Sequence, residues 1–122
     1  MGKFAIKEVP TGIKFDLKAG NGEVIGTSEV YTTKAACTNG IESVKKNAPI
    51  SEVEDQTVEG YEKTTNPKFQ LYLDKKGEFR FRLNARNGEN ILASEGYTSK
   101  AGAINGIESV KKNAPAAETV ET

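Results

Sequence analysis

A short run of hydroxyl and carboxyl side chains occurs twice in the chain, each time with the spacing Ser-Glu-x-Tyr. Grouped Ser, Glu and Tyr side chains could bind a polar ligand or, in a concave pocket, carry out acid–base chemistry. The same groups could instead satisfy the exposed backbone of a strand-to-helix junction. Both interpretations are open for the six residues, which are Ser28, Glu29, Tyr31, Ser94, Glu95 and Tyr97.

Basic side chains form a second candidate site. They fall on the outer face of the second predicted strand of each repeat and on the hairpins beyond, where they could meet nucleic acid or an acidic partner. Few aromatic residues lie among them and no nucleic-acid motif is present, so a solvated face, or one covered by acidic segments, is the alternative. The set comprises Lys14, Lys18, Arg80, Arg82 and Arg86.

Other chemistries lack the residues they need. Histidine is absent, and no Cys/His cluster could hold zinc. The single cysteine, Cys37, falls on an apolar helix stripe and predicts an inert core residue. The glycines between Gly20 and Gly26 approach a dinucleotide fingerprint, but their spacing is wrong and a strand follows them instead of a helix. We therefore expect no catalytic residue, no metal and no cofactor.

The elements that must position these groups come from an internal duplication. Residues 21–49 align without a gap to residues 87–115, and 21 of the 29 pairs are identical. Within them, the eleven residues from Asn39 to Pro49 recur unchanged from Asn105 to Pro115. A repeat of this kind indicates two copies of one structural unit.

Alternating apolar and polar residues predict strands in each copy. In the second copy, Phe69 to Asp74 and Phe79 to Asn84 alternate with period two. Asn21-Gly22 and Asn87-Gly88 predict hairpin turns, since both residue types tolerate positive φ. A third strand is expected after each turn, around Glu23 to Glu29 and Glu89 to Glu95. Each copy should thus begin with a three-stranded meander.

One helix is predicted to close each copy, over Lys34 to Lys46 and Lys100 to Lys112. Apolar residues spaced three and four apart give each helix one stripe to lay on the sheet. The proline of Asn-Ala-Pro should end each helix, because it disfavours the helical region for the residue before it. Gly40 and Gly106 lie on a flank of small residues, which predicts that another backbone packs close by. The stripes are Cys37, Ile41, Val44, Ala48 and Ala103, Ile107, Val110, Ala114.

Charge is distributed according to the same boundaries. The chain is neutral overall, but both copies are basic, while the connector between them and the tail are acidic. We expect the connector to lie along the basic body through exposed ion pairs, and the connector and tail each to supply a strand. The 122 residues, 1–122, are interpreted as one domain, comprising repeat 1 (3–49), the acidic connector (50–67), repeat 2 (68–115) and the tail (116–122).

The repeated motif N-G-E-x-I, S-E-x-Y-T and N-G-I-E-S-V-K-K-N-A-P resembles the YegP-like family of small bacterial proteins, a family of unknown function. The first copy departs from the pattern where Val9-Pro10-Thr11-Gly12 replaces a charged turn. The resemblance implies an α+β fold in which two tandem β-β-β-α-β repeats share one sheet and exchange their last strands. We expect that sheet to be antiparallel, with the helices on one face and a pseudo-two-fold axis. The resemblance implies no activity, cofactor or site residue.

Three function classes are compatible with these features. The leading one is a small non-enzymatic binding or accessory module of the bacterial cytoplasm. A nucleic-acid or acidic-partner binder using the basic face is the alternative, and an enzyme built on the Ser/Glu/Tyr junctions is the third class. The longest apolar stretches are far shorter than a membrane span, and no signal-peptide pattern is present. We expect no membrane partner, and a monomer that contains an internal pseudo-dimer.

Overall fold

The structure is a computed structural model and describes residues 2–121. Each repeat contributes three strands, one α-helix, a short 3-10 turn and a final strand. The first set is β1 (Lys3–Val9), β2 (Gly12–Lys18), β3 (Val24–Thr27), α1 (Lys34–Asn47), a 3-10 turn (Ala48–Ile50) and β4 (Glu52–Asp55). The second set is β5 (Lys68–Leu73), β6 (Phe79–Asn84), β7 (Asn90–Ala93), α2 (Lys100–Asn113), a 3-10 turn (Ala114–Ala116) and β8 (Glu118–Glu121).

All eight strands form one sheet, in the order β4-β5-β6-β7-β3-β2-β1-β8. The two meanders meet at β3 and β7, where Thr27 pairs with Ala93. β4 of the first repeat pairs with β5 of the second, and β8 pairs with β1. The prediction of one shared sheet with exchanged final strands is therefore confirmed.

The predicted purely antiparallel sheet is wrong at its two edges. The six inner strands are antiparallel, whereas β4 and β8 pair in parallel with β5 and β1. Glu52 aligns with Lys68, so both strands of that pair start at the same end of the sheet. A parallel pair needs a return connection of about a dozen residues or more, and residues 56–67 supply it here.

The helices begin and bury their stripes as predicted. The Thr33 hydroxyl accepts a hydrogen bond from Ala36 N at 3.1 Å, and the Ser99 hydroxyl accepts one from Gly102 N at 3.0 Å. These caps satisfy one of the free N–H groups at each helix start. All eight stripe residues are fully buried, and they pack with Phe4, Phe15, Phe69 and Phe81 of the sheet in one continuous core.

Each α-helix ends within one residue of the predicted position, but the residue before the proline does not leave the helical region as predicted. Ala48, the residue before Pro49, keeps helical backbone angles of φ −56° and ψ −49°. The chain instead passes from α-helix into a 3-10 turn that contains the proline. Pro49, the second residue of this turn, lacks an N–H and cannot continue the α-helical hydrogen bonds, but its fixed φ is compatible with the first turn of a helix.

The exchanged strands are fastened to the helices by matching ion pairs. Lys100 Nζ lies 2.7 Å from Asp55 Oδ2 at the end of β4. At the equivalent place in the other half, Lys34 contacts Glu121 at the end of β8. All four side chains are substantially exposed, so each pair contributes well under about 1 kcal/mol.

The contact across the pseudo-two-fold axis is not symmetric. Gly26 of β3 and Leu92 of β7 occupy equivalent positions in the two repeats. A Cβ on Gly26 would lie 2.7 Å from Leu92 Cδ2. The leucine of one repeat therefore uses the space that the glycine of the other leaves open.

Within residues 2–121, neither helix combines the length and apolar character that crossing a membrane requires.

Candidate functional site

Ser28 and Ser94 have their hydroxyl groups engaged in equivalent hydrogen bonds. Ser28 Oγ accepts from Phe15 N at 2.9 Å and donates to Glu29 O at 2.7 Å. Ser94 Oγ accepts from Phe81 N at 2.9 Å and donates to Glu95 O at 2.8 Å. Both serines are buried. Their recurrence is accounted for by the need to satisfy backbone groups where β3 and β7 leave the ladder.

Tyr31 and Tyr97 each lie between a strand and a helix. The Tyr31 ring stacks on Phe15 with centroids 6.3 Å apart, and the Tyr97 ring stacks on Phe81 at 6.2 Å. Burial raises the pKa of Tyr31, with smaller contributions from Cys37 and two glutamates. Burial likewise raises the pKa of Tyr97, mainly assisted by Glu95. Both phenols thus stay protonated at neutral pH, which makes them hydrogen-bond donors and weak nucleophiles.

These tyrosines explain the two helix glycines. A Cβ on Gly40 would lie 2.3 Å from the Tyr31 hydroxyl oxygen, and one on Gly106 would lie 2.5 Å from that of Tyr97. The expectation that another backbone packs there is wrong. The close neighbour is the end of a tyrosine side chain from the same repeat.

Glu29 and Glu95 are exposed at the ends of the two junctions. Glu95 borders a cleft of about 290 Å³ on the helix-free face of the sheet, together with Lys7, Lys14 and Asp16. Asp16 is engaged there, because Lys7 Nζ lies 3.0 Å from it and the Thr27 hydroxyl donates to it at 2.7 Å. Among the described residues that line this cleft, no second free carboxylate accompanies Glu95.

The basic residues are divided between two places. Arg80 Nε donates to Asp74 at 2.7 Å. Arg82 Nε donates to Gln70 at 2.6 Å, and its guanidinium lies 4.6 Å from the centroid of the Tyr72 ring. Both arginines are thus engaged on the helix-free face. Lys14 and Lys18 share that face and form no ion pair within residues 2–121.

Arg86 belongs to a hairpin beyond the second strand of its repeat, as expected, but it does not share the helix-free face with the other basic residues. It lies on the turn between β6 and β7 and lines a groove on the helix side, opposite α1. Because Arg86 lies beyond the end of β6, the alternation of side chains along that strand does not determine which side of the sheet it faces.

Cys37 and the acidic groups carry no assembled chemistry. Cys37 is fully buried, and burial raises the pKa of its thiol, so it remains unreactive. In the part of the chain that the structure describes, no three Asp, Glu or Cys side chains are grouped so that they could hold a metal ion.

Glu54 is the most deeply buried charge, with its side chain 2% exposed. Its carboxylate accepts hydrogen bonds from Lys68 Nζ at 2.6 Å, Gln56 Nε2 at 2.7 Å, Thr64 N at 2.9 Å and Gln70 Nε2 at 3.2 Å. Burial alone would raise the pKa of Glu54, but these four bonds outweigh it and lower the pKa to about 2. Two of these donors, Gln56 and Thr64, belong to the connector, and the other two, Lys68 and Gln70, belong to β5. The Glu54 carboxylate therefore holds the connector against the sheet.

One concave surface gathers polar groups that the fold leaves unused. Two adjoining clefts of about 360 and 240 Å³ form a groove between one flank of α1 and the β6–β7 turn. We call it the α1 groove. The α1 wall consists of Ala36, Asn39, Gly40, Glu42, Ser43, Lys46 and Asn47, and the opposite wall of Ala85, Arg86, Asn87, Glu89 and Ile91, with Tyr31 between them. The two walls come from different repeats.

Asn47 contributes a buried atom that lacks a partner. Its Nδ2 donates to Ser43 O at 2.8 Å and to Ser43 Oγ at 3.1 Å, which fixes the orientation of the amide. The residue is 5% exposed, and its Oδ1 accepts no hydrogen bond within residues 2–121. An unpaired buried acceptor costs on the order of 1–3 kcal/mol.

Two cations of the α1 groove also lack partners. Lys46 in the last turn of α1 and Arg86 on the opposite wall form no ion pair or side-chain hydrogen bond within residues 2–121. The carboxylate of Glu42 lines the same end but lies 4.0 Å from Lys45. Lys46 and Arg86 can therefore both offer hydrogen-bond donors to an anion at this end of the groove. Sequence reasoning missed it, although the flank of small residues on α1 was a signal.

Comparisons with known proteins give one consistent result. The sequence profile of the family described as Domain of unknown function (DUF1508) matches residues 12–55 and 74–121. A UPF0339 protein of Bordetella pertussis is 42% identical over 118 residues, which are 97% of this chain and 93% of that protein.

Two solution NMR structures resemble the fold over nearly its whole length. That of a UPF0339 protein from Shewanella oneidensis has a TM-score of 0.81 at 36% identity, covering 98% of this chain and 90% of that one. That of YegP from E. coli, described as a protein of unknown function, has a TM-score of 0.75 at 36% identity, covering 99% and 92%. This chain therefore belongs to the YegP-like family of domains of unknown function, DUF1508, and carries two copies of the domain.

Proposed function

We propose that the protein is a small non-enzymatic binding module and that its ligand site is the α1 groove. One observation carries the proposal. Within residues 2–121, the groove brings together polar groups that make no hydrogen bond or ion pair, namely the buried Asn47 Oδ1 and the exposed cations of Lys46 and Arg86. A concave surface with a few convergent polar groups is the usual form of a ligand-binding site.

The Ser/Glu/Tyr junctions are poorly suited to catalysis, which favours the α1 groove as the functional site. Their serine hydroxyls are already committed to backbone groups, and the raised pKa of each tyrosine keeps its oxygen protonated. A nucleophile would need a free hydroxyl beside a base. Tyr31 contributes to the proposed site as a neutral lining group of the groove.

A screen for ligands can be directed at this groove by a matched pair of variants. We would record amide spectra of the ¹⁵N-labelled full chain while adding pools of small polar compounds. Asn39→Trp should block binding, because Asn39 is an exposed residue of the α1 wall. Asn105→Trp places the same bulk at the equivalent position of α2 and should leave binding intact. Ligands that survive Asn39→Trp, or that shift only residues elsewhere, would contradict the proposal.

A second candidate is an acidic partner, including nucleic acid, on the helix-free face. The uncompensated lysines Lys3, Lys14 and Lys18 favour it, because they lie together on that face without ion pairs within residues 2–121. Binding of a labelled oligonucleotide should then weaken steeply with salt. Lys14→Gln should reduce it and Lys63→Gln, in the connector, should not. Absence of binding at low salt removes this candidate.

Location and assembly complete the proposal. A reducing compartment, the cytoplasm, fits a chain whose single cysteine is buried in the core. The two repeats already supply each other with the partner surface that a symmetric dimer would provide, which supports a monomer. Sedimentation of the full chain at several concentrations tests this, and a mass that rises to twice that of the chain would overturn it.

A further inference from the structure

We propose that the α1 groove binds the carboxyl-terminal end of an extended peptide, with the terminal carboxylate held between Lys46 and Arg86. This inference rests on the proposed function and specifies the class of ligand. Shape, hydrogen-bonding chemistry and charge each contribute a separate argument.

The groove has the length of a short extended peptide. It follows α1 from Ala36 to Asn47, and eleven residues of helix rise about 16 Å. An extended chain advances about 3.3 Å per residue, so four or five peptide residues match this length. Ala36, Gly40 and Ser43 line the flank. The small side chains of Ala36 and Ser43 leave room for a main chain to approach, whereas the space beside Gly40 is filled by the Tyr31 hydroxyl.

The polar lining matches peptide groups better than it matches a nucleobase. Asn39 and Asn87 lie on opposite walls, and carboxamides can both donate to a peptide C=O and accept from a peptide N–H. Asn39 makes no side-chain hydrogen bond within residues 2–121, while Asn87 uses only its Oδ1, which accepts from Glu89 N at 3.0 Å. Bases are usually held by stacking on aromatic rings. The ring that lines this groove, Tyr31, is already stacked on Phe15.

The charge is asymmetric along the groove. Lys46 and Arg86 lie in the cleft at one end, with Glu42, and Glu89 lies in the adjoining cleft. A guanidinium can hold a carboxylate through two parallel hydrogen bonds. The peptide therefore runs with its carboxyl terminus toward Arg86 and the Asn47 end, and its preceding residues toward Glu89.

The second repeat supplies a natural control. The equivalent flank of α2 keeps Asn105, Ser109 and Asn113, and the β2–β3 turn keeps Asn21, but Gly20 stands where the first groove has Arg86. A preference for a free carboxylate should thus belong to the α1 groove alone. Because the β2–β3 turn tolerates glycine at this position, Arg86→Gly should preserve the fold.

The test is an amide-spectrum titration of the ¹⁵N-labelled full chain with N-acetylated tetra-alanine, once with a free carboxyl terminus and once amidated. The free acid should cause saturable shifts along α1 and the β6–β7 turn. The amidated peptide should bind about tenfold or more weakly, because a charge-assisted hydrogen bond is lost. Arg86→Gly should remove that difference, and Gly20→Arg should create a second acid-selective site beside α2.

The outcomes separate this inference from the broader one. If both peptides bind equally well in the groove, the groove does not recognise the terminal carboxylate, although the protein could still be a binding module. If sodium acetate causes amide shifts of the same size and position as the free-acid peptide, the groove binds a carboxylate alone and the peptide main chain is not recognised. No saturable shift in the groove with either peptide would overturn the peptide class, whereas a pooled compound that binds there would still uphold the proposed function.

Discussion

Replacing Glu54 by glutamine should destabilise the protein far more than its place in an acidic connector suggests. The side chain is 2% exposed and accepts four hydrogen bonds, one of them from Lys68, which is itself 12% exposed. Glutamine keeps the shape but presents an NH₂ group where every neighbour is a donor. It also leaves the ammonium group of Lys68 buried without its carboxylate.

The size of the effect follows from the pKa of Glu54, which these contacts lower from 4.5 to about 2. Each pKa unit corresponds to about 1.4 kcal/mol, so the shift amounts to about 3 kcal/mol of stability, in the range for breaking a buried ion pair. Because the folded pKa lies below the unfolded one, this stabilisation is complete above about pH 5. It is lost progressively as the pH falls from about 5 to about 2.

Urea denaturation of the wild type and of Glu54→Gln, at intervals from pH 7 to pH 2.5, measures both quantities. The free energy of unfolding should differ by about 3 kcal/mol at pH 7, and the gap should narrow in acid. High salt should change it little, since buried pairs are poorly screened. Glu52→Gln, at an exposed position of the same strand, should stay within about 0.5 kcal/mol of wild type. A gap below about 1 kcal/mol, or one independent of pH, would refute the reasoning.

Three further predictions concern packing. Gly106→Leu should lower the melting temperature, since overpacking costs about 1–3 kcal/mol and a Cβ there would lie 2.5 Å from the Tyr97 hydroxyl oxygen. The control Gly102→Ala should not lower it, because the equivalent residue of the first repeat is already alanine, Ala36. Equal losses of melting temperature in the two variants would contradict this account of Gly106. Gly26→Leu should lower the stability of the protein, because the new side chain would overlap Leu92. Adding Leu92→Gly should restore part of that stability. If thermal denaturation of both single variants and the double variant gives strictly additive losses of stability, the contact is not the cause. A fragment of residues 68–122 should sediment as a dimer if it folds, and a stable monomer would mean that one repeat holds a complete core.

Most of the fold was accessible from the sequence because its signals are local. Period-two alternation located the strands, apolar stripes located the helices, and the predicted helix ends fell within one residue of Asn47 and Asn113. The parallel edges were missed because direction depends on where the connector returns, which no local pattern records. The burial of Glu54 was missed because its equivalent in the other repeat is Val120, so the repeat itself gave no sign of a charged network.

The candidate site was harder to predict for a different reason. Ser28 and Tyr31 were chosen as candidate site residues because they occur in both repeats. Residues that each repeat needs in order to fold also occur in both, so recurrence does not indicate function. The α1 groove joins Asn39 of one repeat to Arg86 of the other, so its walls are close only after the two units share a sheet. Its distinguishing residue, Arg86, breaks the repeat where Gly20 stands in the first copy. Departures from the repeat were thus the more informative signal.

The exchange of final strands has a consequence for synthesis on the ribosome. β1 is translated before its edge partner β8, which follows it by more than 100 residues. Throughout that interval the growing chain carries an open strand edge, which is a template for pairing with other nascent chains. Lys3 and Lys7, both on β1, place like charges on that edge. Lysine on a strand is one of the features that discourage such edge-to-edge pairing, so these two side chains are suited to the interval before β8 is made.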